Sequence, residues 1–291
     1  MGVIFLMGPT AVGKSAVALE LAGRLGAEII SADSMQVYRG MDIGTAKIKG
    51  QLLTDVCDVN EPFDAKRFVE LAQSQISKLK SVIICGGTGL YIRALRQGLF
   101  EGPGRSAELR ARLEVMSVPD LFAELQSLDP QTAASIDCHN PRRLVRAIEV
   151  FHQTGKPIRE QQTQWAGKTA GNGLAFCLNR DRQELVERIE RRIDEQIAAG
   201  WVEEVRQLFA RGLEKNPTAM QAAGYRELAA HLRGELSLPE AVTLIKIRTR
   251  QLAKRQITWF RREPDLTWLT VKHDEKPAVT AERILELGTI S

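Results

Sequence analysis

The stretch GPTAVGKS, residues 8–15, decides the fold of this chain. It matches G-x-x-x-x-G-K-[ST] and lies between the apolar run VIFLM (residues 3–7) and the helically patterned SAVALELAGRLG (residues 15–26). A strand, a glycine-rich loop and a helix in this order predict a phosphate-binding loop. Backbone N–H groups and the positive end of the helix bind phosphate oxygens, Lys14 adds charge, and the Ser15 hydroxyl suits Mg²⁺. The motif does not identify the phosphate compound.

Further short apolar runs predict the rest of a sheet. They are AEIISAD (27–33), SVIICGG (81–87), GLAFCLN (173–179) and DLTWLT (265–270). Strands that alternate with helices predict an α/β fold with a doubly wound parallel sheet, similar to phosphate-loop NTPases. Ligands bind at the carboxyl ends of such strands, so we expect residues 8–15, 33–36 and 86–88 to converge.

The pattern changes in residues 106–164, which read as short helices with Pro at or near their starts. This predicts a helical insertion domain, residues 106–170. The catalytic core is then divided into residues 1–105 and 171–291, and the second part contains a helical region that ends near residue 263.

Composition limits the class of protein. The 291 residues are 44% hydrophobic with a formal charge of +4, which predicts a folded protein whose anion affinity depends on where Lys and Arg are placed. No apolar run reaches the roughly 18 residues that span a bilayer. The scattered cysteines predict neither a metal site nor disulfides, and a cytoplasmic location is expected. They are Cys57, Cys85, Cys138 and Cys177.

A carboxylate is missing where a phosphate-loop NTPase would have one. In such enzymes an apolar strand ends in Asp, which helps to hold Mg²⁺. Here VIIC (82–85) is followed by Gly86, Gly87 and Thr88, whereas Asp33 follows another strand. Asp33 is predicted to assist Mg²⁺, to act as a general base, or to cap a turn. Gln36 has the donor and acceptor that suit an adenine edge.

A basic segment lies between Glu240 and Glu263. It contains Lys246, Arg248, Arg250, Lys254, Arg255, Arg261 and Arg262 and no acidic residue. Lys246, Arg250 and Lys254 recur every four residues, which predicts a basic stripe on one helix beside an apolar one. Such a stripe favours contact with nucleic-acid phosphates.

Six segments occur together in one order. They are GPTAVGKS (8–15), DSMQVYRGMDIGTAK (33–47), GGTGLY (86–91), NPRRLVRAIEV (140–150), AAGYRE (222–227) and RQLAKRQITWFR (250–261). In this combination the chain closely resembles the bacterial tRNA dimethylallyltransferases. The resemblance implies transfer of a five-carbon group from dimethylallyl diphosphate to N6 of adenosine 37, with release of pyrophosphate. It implies Mg²⁺ as cofactor, and the anticodon stem-loop of tRNA as partner of a monomeric enzyme.

The resemblance also implies roles for particular residues. Asp33 is the general base, assisted by Lys14 and Thr88, and Ser15 is the metal ligand. The implied diphosphate site comprises Gly8, Pro9, Thr10, Ala11, Val12, Gly13, Lys14 and Ser15. Arg182, Arg188 and Arg192 are candidates to close over the diphosphate, since a leaving diphosphate gains negative charge. The implied tRNA contacts are Asp33, Ser34, Met35, Gln36, Thr88, Arg110, Arg142, Arg143, Leu144, Val145, Arg146, Gln221, Gly224, Tyr225, Arg226, Lys254, Arg255, Gln256, Ile257, Thr258, Trp259, Phe260 and Arg261.

Three other functions compete with this interpretation. An adenylate isopentenyltransferase would use a free nucleotide, which leaves the insertion and the basic helix without a role. A phosphate-loop kinase or ATPase is disfavoured by the missing Asp after VIIC. A non-catalytic RNA-binding module would not explain why the phosphate loop, Asp33 and Thr88 should converge.

Overall fold

The computed structural model describes residues 2–99, 102–161 and 173–288. Within them, five parallel strands form one sheet in the order β2-β3-β1-β4-β5. The strands are β1 Gly2–Met7, β2 Glu28–Ser31, β3 Ser81–Gly86, β4 Leu174–Asn179 and β5 Thr267–Thr270. The parallel α/β sheet predicted from the sequence is confirmed. Four of its strands fall within the predicted apolar runs, and β1 begins one residue before its run.

Helices connect the strands. The first part of the chain contains α1 Lys14–Leu25, α2 Ala65–Ile76 and α3 Gly89–Gln97. Then follow α4 Ala107–Leu113, α5 Val118–Leu128, α6 Pro130–Ser135, α7 Pro141–Thr154 and α8 Ile158–Gln161. The last are α9 Arg182–Ala198, α10 Trp201–Ala210, α11 Tyr225–Leu232, α12 Leu238–Phe260 and α13 Pro277–Gly288. None of the helices in the described ranges is both long and apolar enough to cross a membrane.

Strand β1 occupies the middle of the sheet because it is apolar along its whole length. Val3 to Met7 are buried, and Leu6 pairs with Cys85 of β3 on one side and Phe176 of β4 on the other. Parallel pairing directs the carboxyl ends of β1, β2, β3 and β4 to the same edge. The phosphate loop, which follows β1, therefore lies at the edge where a ligand is expected.

The chain divides into two compact units. One comprises Met1–Arg96 with Ala170–Ser291, and the other Gln97–Thr169. The second unit thus begins nine residues before the predicted start of the insertion at residue 106. The start of α4 is marked by Ser106, whose side chain caps the helix.

The second unit has its own apolar core. It is formed by Leu113, Leu121, Leu125, Ala133, Leu144, Val145, Ala147 and Ile148, and α5 packs on α7. Leu144 is fully buried and Val145 is only 4% exposed. This corrects the implied tRNA contacts at these two positions, because their side chains fill the core. The flanking Arg142 and Arg143 are exposed.

A buried carboxylate organises this unit. Glu149 accepts hydrogen bonds from Arg110 Nε at 2.8 Å, Arg146 Nη1 at 2.8 Å and Ser106 N at 2.9 Å. Burial opposes the charge of Glu149, but these donors outweigh it and lower its pKa to about 2. Arg110 and Arg146 therefore neutralise a buried carboxylate within the insertion. Their side chains stay 25% and 29% exposed, and their contact with tRNA stays a prediction.

Replacing Glu149 by Gln is expected to lower the free energy of unfolding at pH 7 by on the order of 3 kcal/mol. The depressed pKa means that this stability is fully present above the ordinary pKa of 4.5 and is lost as pH falls toward about 2. Urea unfolding at pH 7 and pH 3 measures the effect. The difference in free energy of unfolding between variant and wild type should be smaller at pH 3 than at pH 7. Glu114→Gln, which removes an exposed partner of Arg110 at 3.8 Å, is the control and should cost under about 1 kcal/mol. An equal loss of unfolding free energy in Glu149→Gln at both pH values would show that the charge of Glu149 does not stabilise the fold.

Two cysteines lie close to the phosphate loop without taking part in its chemistry. Cys85 and Cys177 are buried in β3 and β4. Burial raises the pKa of Cys85 to about 11 and that of Cys177 to about 12, although the charge of Lys14 opposes the shift. Both thiols stay protonated at neutral pH, as expected for inert core residues.

Candidate active site

The phosphate loop needs its two glycines for backbone reasons. Gly8 has φ 145°, and a Cβ there would lie 2.6 Å from the carbonyl oxygen of Leu178 in β4. Gly13 has φ 107° and caps α1 without a side-chain acceptor. The first N–H groups of α1 are therefore available to an anion.

Lys14 points back over the loop. Its Nζ donates to the carbonyl oxygen of Pro9 at 2.7 Å. Burial lowers the pKa of Lys14, while the nearby charge of Asp33 raises it. A phosphate anion at this position would replace a neutral partner with a charged one, which is a stronger hydrogen bond.

Arginines that follow β4 or belong to α9 cover the loop. Arg188 Nε donates to the Ala11 carbonyl oxygen at 2.9 Å, and Arg180 Nε to that of Val12 at 2.9 Å. Among the described residues, Arg192 forms one hydrogen bond, a long one to the carbonyl oxygen of Thr45 at 3.4 Å. Burial lowers the pKa of Arg192, and the charge of Asp33 opposes this. A partly buried guanidinium with so weak a partner favours an anionic ligand.

Arg182 does not share this position. Arg182 is exposed at the start of α9. Arg188 and Arg192 line a cavity over the phosphate loop, described below, and Arg182 does not. The predicted role of Arg182 at the diphosphate is therefore corrected. Arg180, just after β4, approaches the loop instead, and a Cβ on Gly13 would lie 3.7 Å from its Nη2.

A cavity of about 580 Å³ opens over the phosphate loop. Its lining includes Thr10, Lys14, Ser15, Asp33, Arg188 and Arg192. Apolar side chains of Ile43 and Ile48 lie in the same wall. The cavity thus combines cations and backbone N–H groups with an apolar region, which suits a diphosphate ester that carries a small hydrocarbon group.

A second cavity, of about 270 Å³, adjoins the first. It is lined by Ser34, Met35, Thr88, Ala223, Tyr225 and Leu252, among others. The residues common to the two linings are Thr10, Ala11, Asp33, Thr45, Gly87, Arg192, Gln196 and Gln256. Asp33 and Arg192 therefore lie between two compartments, as groups would that act on two substrates at once.

Asp33 uses one carboxylate oxygen to stabilise its own turn. Its Oδ1 accepts from Met35 N at 2.8 Å and from Gln36 N at 3.4 Å. In the described part of the chain, no hydrogen bond is recorded for Oδ2. The capping role considered from the sequence is thus present, and it leaves the second oxygen available to a substrate.

Thr88 supports the same turn. Its Oγ1 accepts from Ser34 N at 3.0 Å and lies 3.3 Å from Ser34 Oγ. The two glycines before it allow neighbouring chain segments to approach. A Cβ on Gly86 would lie 2.2 Å from the Ala32 carbonyl oxygen, and one on Gly87 would lie 2.3 Å from Gln256 Nε2. Close approach explains why this strand ends in glycines where an NTPase would have Asp.

Three residues predicted to contact tRNA have their polar groups engaged within the protein. Gln36 Oε1 accepts from Ser31 Oγ at 2.7 Å and its Nε2 donates to the Thr45 carbonyl oxygen at 3.0 Å, so this amide does not read an adenine edge. Gln256 Oε1 accepts from Thr10 N at 2.8 Å, which fixes the phosphate loop. Tyr225 is fully buried and donates to Glu204 Oε1 at 2.7 Å.

The basic stripe on α12 is largely neutralised. Lys246 pairs with Asp194 at 2.7 Å and Arg250 pairs with Glu190, and both acids belong to α9. Arg248 pairs with Glu227 at 2.9 Å. The predicted role of Lys246 and Arg250 as free phosphate contacts is corrected for this reason.

The end of α12 is divided between core and surface. Phe260 is fully buried. The guanidinium of Arg93 lies 4.6 Å from the centre of the Trp259 ring. Both aromatic side chains thus pack within the protein in place of the implied RNA contact. Lys254, Arg255 and Arg261 are exposed, and no ion pair is recorded for them among the described residues.

The sheet, the phosphate loop and the paired cavities define an α/β phosphate-loop protein with a two-substrate site. The IPP transferase family matches residues 36–263, and the isopentenyl transferase family matches residues 1–55. The chain belongs to the IPP transferase family.

Curated relatives agree with this assignment. The tRNA dimethylallyltransferase 1 of Trichlorobacter lovleyi is 44% identical over 283 residues, covering 92% of this chain and 93% of that protein. The tRNA dimethylallyltransferase of Symbiobacterium thermophilum is 44% identical over 300 residues, with coverage of 98% and 94%.

Solved structures share the fold. The full-length tRNA isopentenylpyrophosphate transferase of Bacillus halodurans has a TM-score of 0.69 at 35% identity, covering 99% of both chains. A eukaryotic dimethylallyltransferase acting on tRNA has a TM-score of 0.83 at 24% identity, covering 99% of this chain and 79% of that one. The latter likeness concerns the fold alone.

Sequence reasoning missed several parts of the site. Arg180 was detectable, because it directly follows a strand at the ligand-binding edge. Thr45 and Gln196 line both cavities, but no local pattern predicts this. The contact of Gln256 with Thr10 is also missed, since it joins residues 246 positions apart.

Proposed function

We propose that this chain is a cytoplasmic tRNA dimethylallyltransferase, which transfers the dimethylallyl group of dimethylallyl diphosphate to N6 of adenosine 37 in tRNA. Relatives that match over nine-tenths of the chain carry that name. The observation that carries the proposal is the shared cavity wall, in which Asp33 and Arg192 face both compartments.

The larger cavity is the donor site. The N–H groups at the start of α1, with Lys14, Arg188 and Arg192, bind the diphosphate, and Ile43 and Ile48 lie beside the five-carbon group. The smaller cavity is the acceptor site, where an adenine turned out of its stack lies beside Met35 and Thr88.

The reaction forms one bond and breaks one. The N6 nitrogen attacks the allylic carbon, and the carbon–oxygen bond to diphosphate breaks, with its electron pair leaving on pyrophosphate. The N6 proton moves to the second oxygen of Asp33. Lys14, Arg188 and Arg192 stabilise the charge that develops on the leaving oxygens.

Ser15 is the residue that would hold Mg²⁺. Its side chain lies in the donor cavity beside the loop. The described residues include no group of three or more His, Cys, Asp or Glu side chains arranged to hold a metal. Mg²⁺ in such sites takes one or two protein ligands and completes its shell with phosphate oxygens and water. When bound, it would supply positive charge to the diphosphate.

An assay with labelled dimethylallyl diphosphate tests the proposal. Protein, Mg²⁺, labelled donor and unmodified tRNA should give label on N6 of adenosine 37, with one pyrophosphate per transfer. A tRNA with guanosine at that position is the matched control and should stay unlabelled. Hydrolysis of ATP without label in RNA would support the kinase or ATPase alternative, and label on free AMP alone would support the adenylate alternative.

The exposed cations near the end of α12 are the proposed phosphate contacts. Replacing Lys254 and Arg255 together by Gln should weaken tRNA binding and reduce the slope of log K against log salt by about 1 to 2. Lys246→Gln is the matched control, because Lys246 already pairs with Asp194. Equal salt slopes in the double variant and the wild type would remove this part of α12 from the interface.

A further inference from the structure

A network of hydrogen bonds holds the loop of residues 42–45, which lines both cavities. Glu204 of α10 accepts from three successive backbone N–H groups. The distances are 2.9 Å from Asp42, 2.6 Å from Ile43 and 3.2 Å from Gly44. Its Oε1 also accepts from the hydroxyl of Tyr225 at 2.7 Å. One carboxylate thus satisfies four donors, three of them on a single turn of chain.

The other side of this loop is held by its carbonyl groups. Gln196 of α9 donates to the carbonyl oxygens of Ile43 and Gly44. The next carbonyl, that of Thr45, accepts from Arg192. The position of the Arg192 guanidinium therefore depends on where the loop lies, and Glu204 fixes the loop from the opposite side.

Packing on Trp201 restricts the loop further. A Cβ on Gly44 would lie 2.2 Å from Trp201 Nε1, and one on Gly224 would lie 2.1 Å from Cη2 of the same ring. The ring is therefore enclosed between two glycines. Trp201 and Glu204 are three residues apart and share one face of α10. A single turn of this helix therefore both packs against the loop and accepts its N–H groups.

We infer that Glu204 is a positioning residue for the diphosphate donor, acting through residues 42–45 on Arg192. The inference rests on the proposed function for the identity of the donor. In the described structure, Glu204 lines neither cavity, whereas Ile43 and Thr45 line the donor cavity. Its effect on the reaction is therefore transmitted through the loop.

Replacing Glu204 by Gln keeps the shape of the side chain but turns one acceptor oxygen into an N–H₂ donor. This donor then faces other donors, so some of the hydrogen bonds are lost. We expect the Kd for pyrophosphate, and the KM for dimethylallyl diphosphate, to rise about tenfold, the equivalent of roughly one charged hydrogen bond. The Kd for tRNA should change less than about threefold, because tRNA affinity depends mainly on phosphate contacts elsewhere. Tyr225→Phe leaves the three loop contacts in place and should have the smaller effect.

The control is Glu203→Gln on the same helix. Glu203 is exposed and pairs with Arg206, so pyrophosphate binding should match the wild type. Titration of pyrophosphate into each variant needs no turnover, so this result is independent of whether the acceptor is tRNA. Wild-type affinity in Glu204→Gln, or an equal loss of pyrophosphate and tRNA affinity, would overturn the inference. If Glu204→Gln does not fold, Glu204→Asp replaces it, because Asp keeps the charge on a shorter side chain. The same two measurements, pyrophosphate affinity and tRNA affinity, then decide.

Discussion

Replacing Asp33 by Asn is expected to slow dimethylallyl transfer by about 10²- to 10⁴-fold, the range of a lost general base. The amide keeps an oxygen where Oδ1 accepts from Met35 N and Gln36 N, so the turn should survive. It removes the basic oxygen that faces the cavities. Rapid-quench single-turnover rates, with tRNA and donor both saturating, measure the effect directly.

Asp33→Ala is the matched variant, since it removes the cap as well as the base. We expect both variants to lose the transfer rate to a similar extent, while only Asp33→Ala loses measurable stability. The Kd for tRNA should remain close to the wild-type value in Asp33→Asn. A near-normal rate in Asp33→Asn combined with a slow, unstable Asp33→Ala would show that the residue serves only as a cap.

Replacing Arg192 by Gln is expected to lower kcat/KM for the donor by about 10²- to 10³-fold, as for loss of one preorganised donor to a developing anion. Arg192 is partly buried and lies in both cavity walls, and within the described residues its one hydrogen bond is the long one to the Thr45 carbonyl oxygen. Steady-state kinetics in dimethylallyl diphosphate at saturating tRNA give the value.

Arg182→Gln provides the control from the same helix. Arg182 is exposed outside the donor cavity wall, so its removal should change kcat/KM by less than about twofold, the range for a surface charge. A large loss in Arg182→Gln with little change in Arg192→Gln would reverse the assignment of these arginines.

The sheet and the phosphate loop could be predicted because their signals are local. An apolar run followed by GPTAVGKS specifies strand, loop and helix within residues 3–26, and parallel pairing then brings Asp33 and Thr88 to the same edge. The helices of the insertion were predicted for the same reason, since Pro marks their starts locally. The structure adds Ser, Asp and Asn caps before those prolines.

The errors concern side chains whose partners lie far along the sequence. The basic stripe on α12 reads as a phosphate-binding surface because no acid occurs within it, yet Asp194 and Glu190 reach it from α9. The segment NPRRLVRAIEV contributes apolar side chains to the core of the insertion. It also contains Glu149, which forms ion pairs with Arg110 and Arg146. Local charge patterns do not reveal such pairings, because tertiary packing decides which cations remain exposed.

Donor and acceptor are proposed to meet at Asp33, and a crystal structure of the protein with pyrophosphate and an anticodon stem-loop would show whether they do. We expect pyrophosphate on the phosphate loop beside Lys14 and Arg192, with N6 of adenosine 37 about 3 Å from a carboxylate oxygen of Asp33. An adenine bound outside the cavity of Ser34, Met35 and Thr88, or pyrophosphate away from the loop, would contradict it.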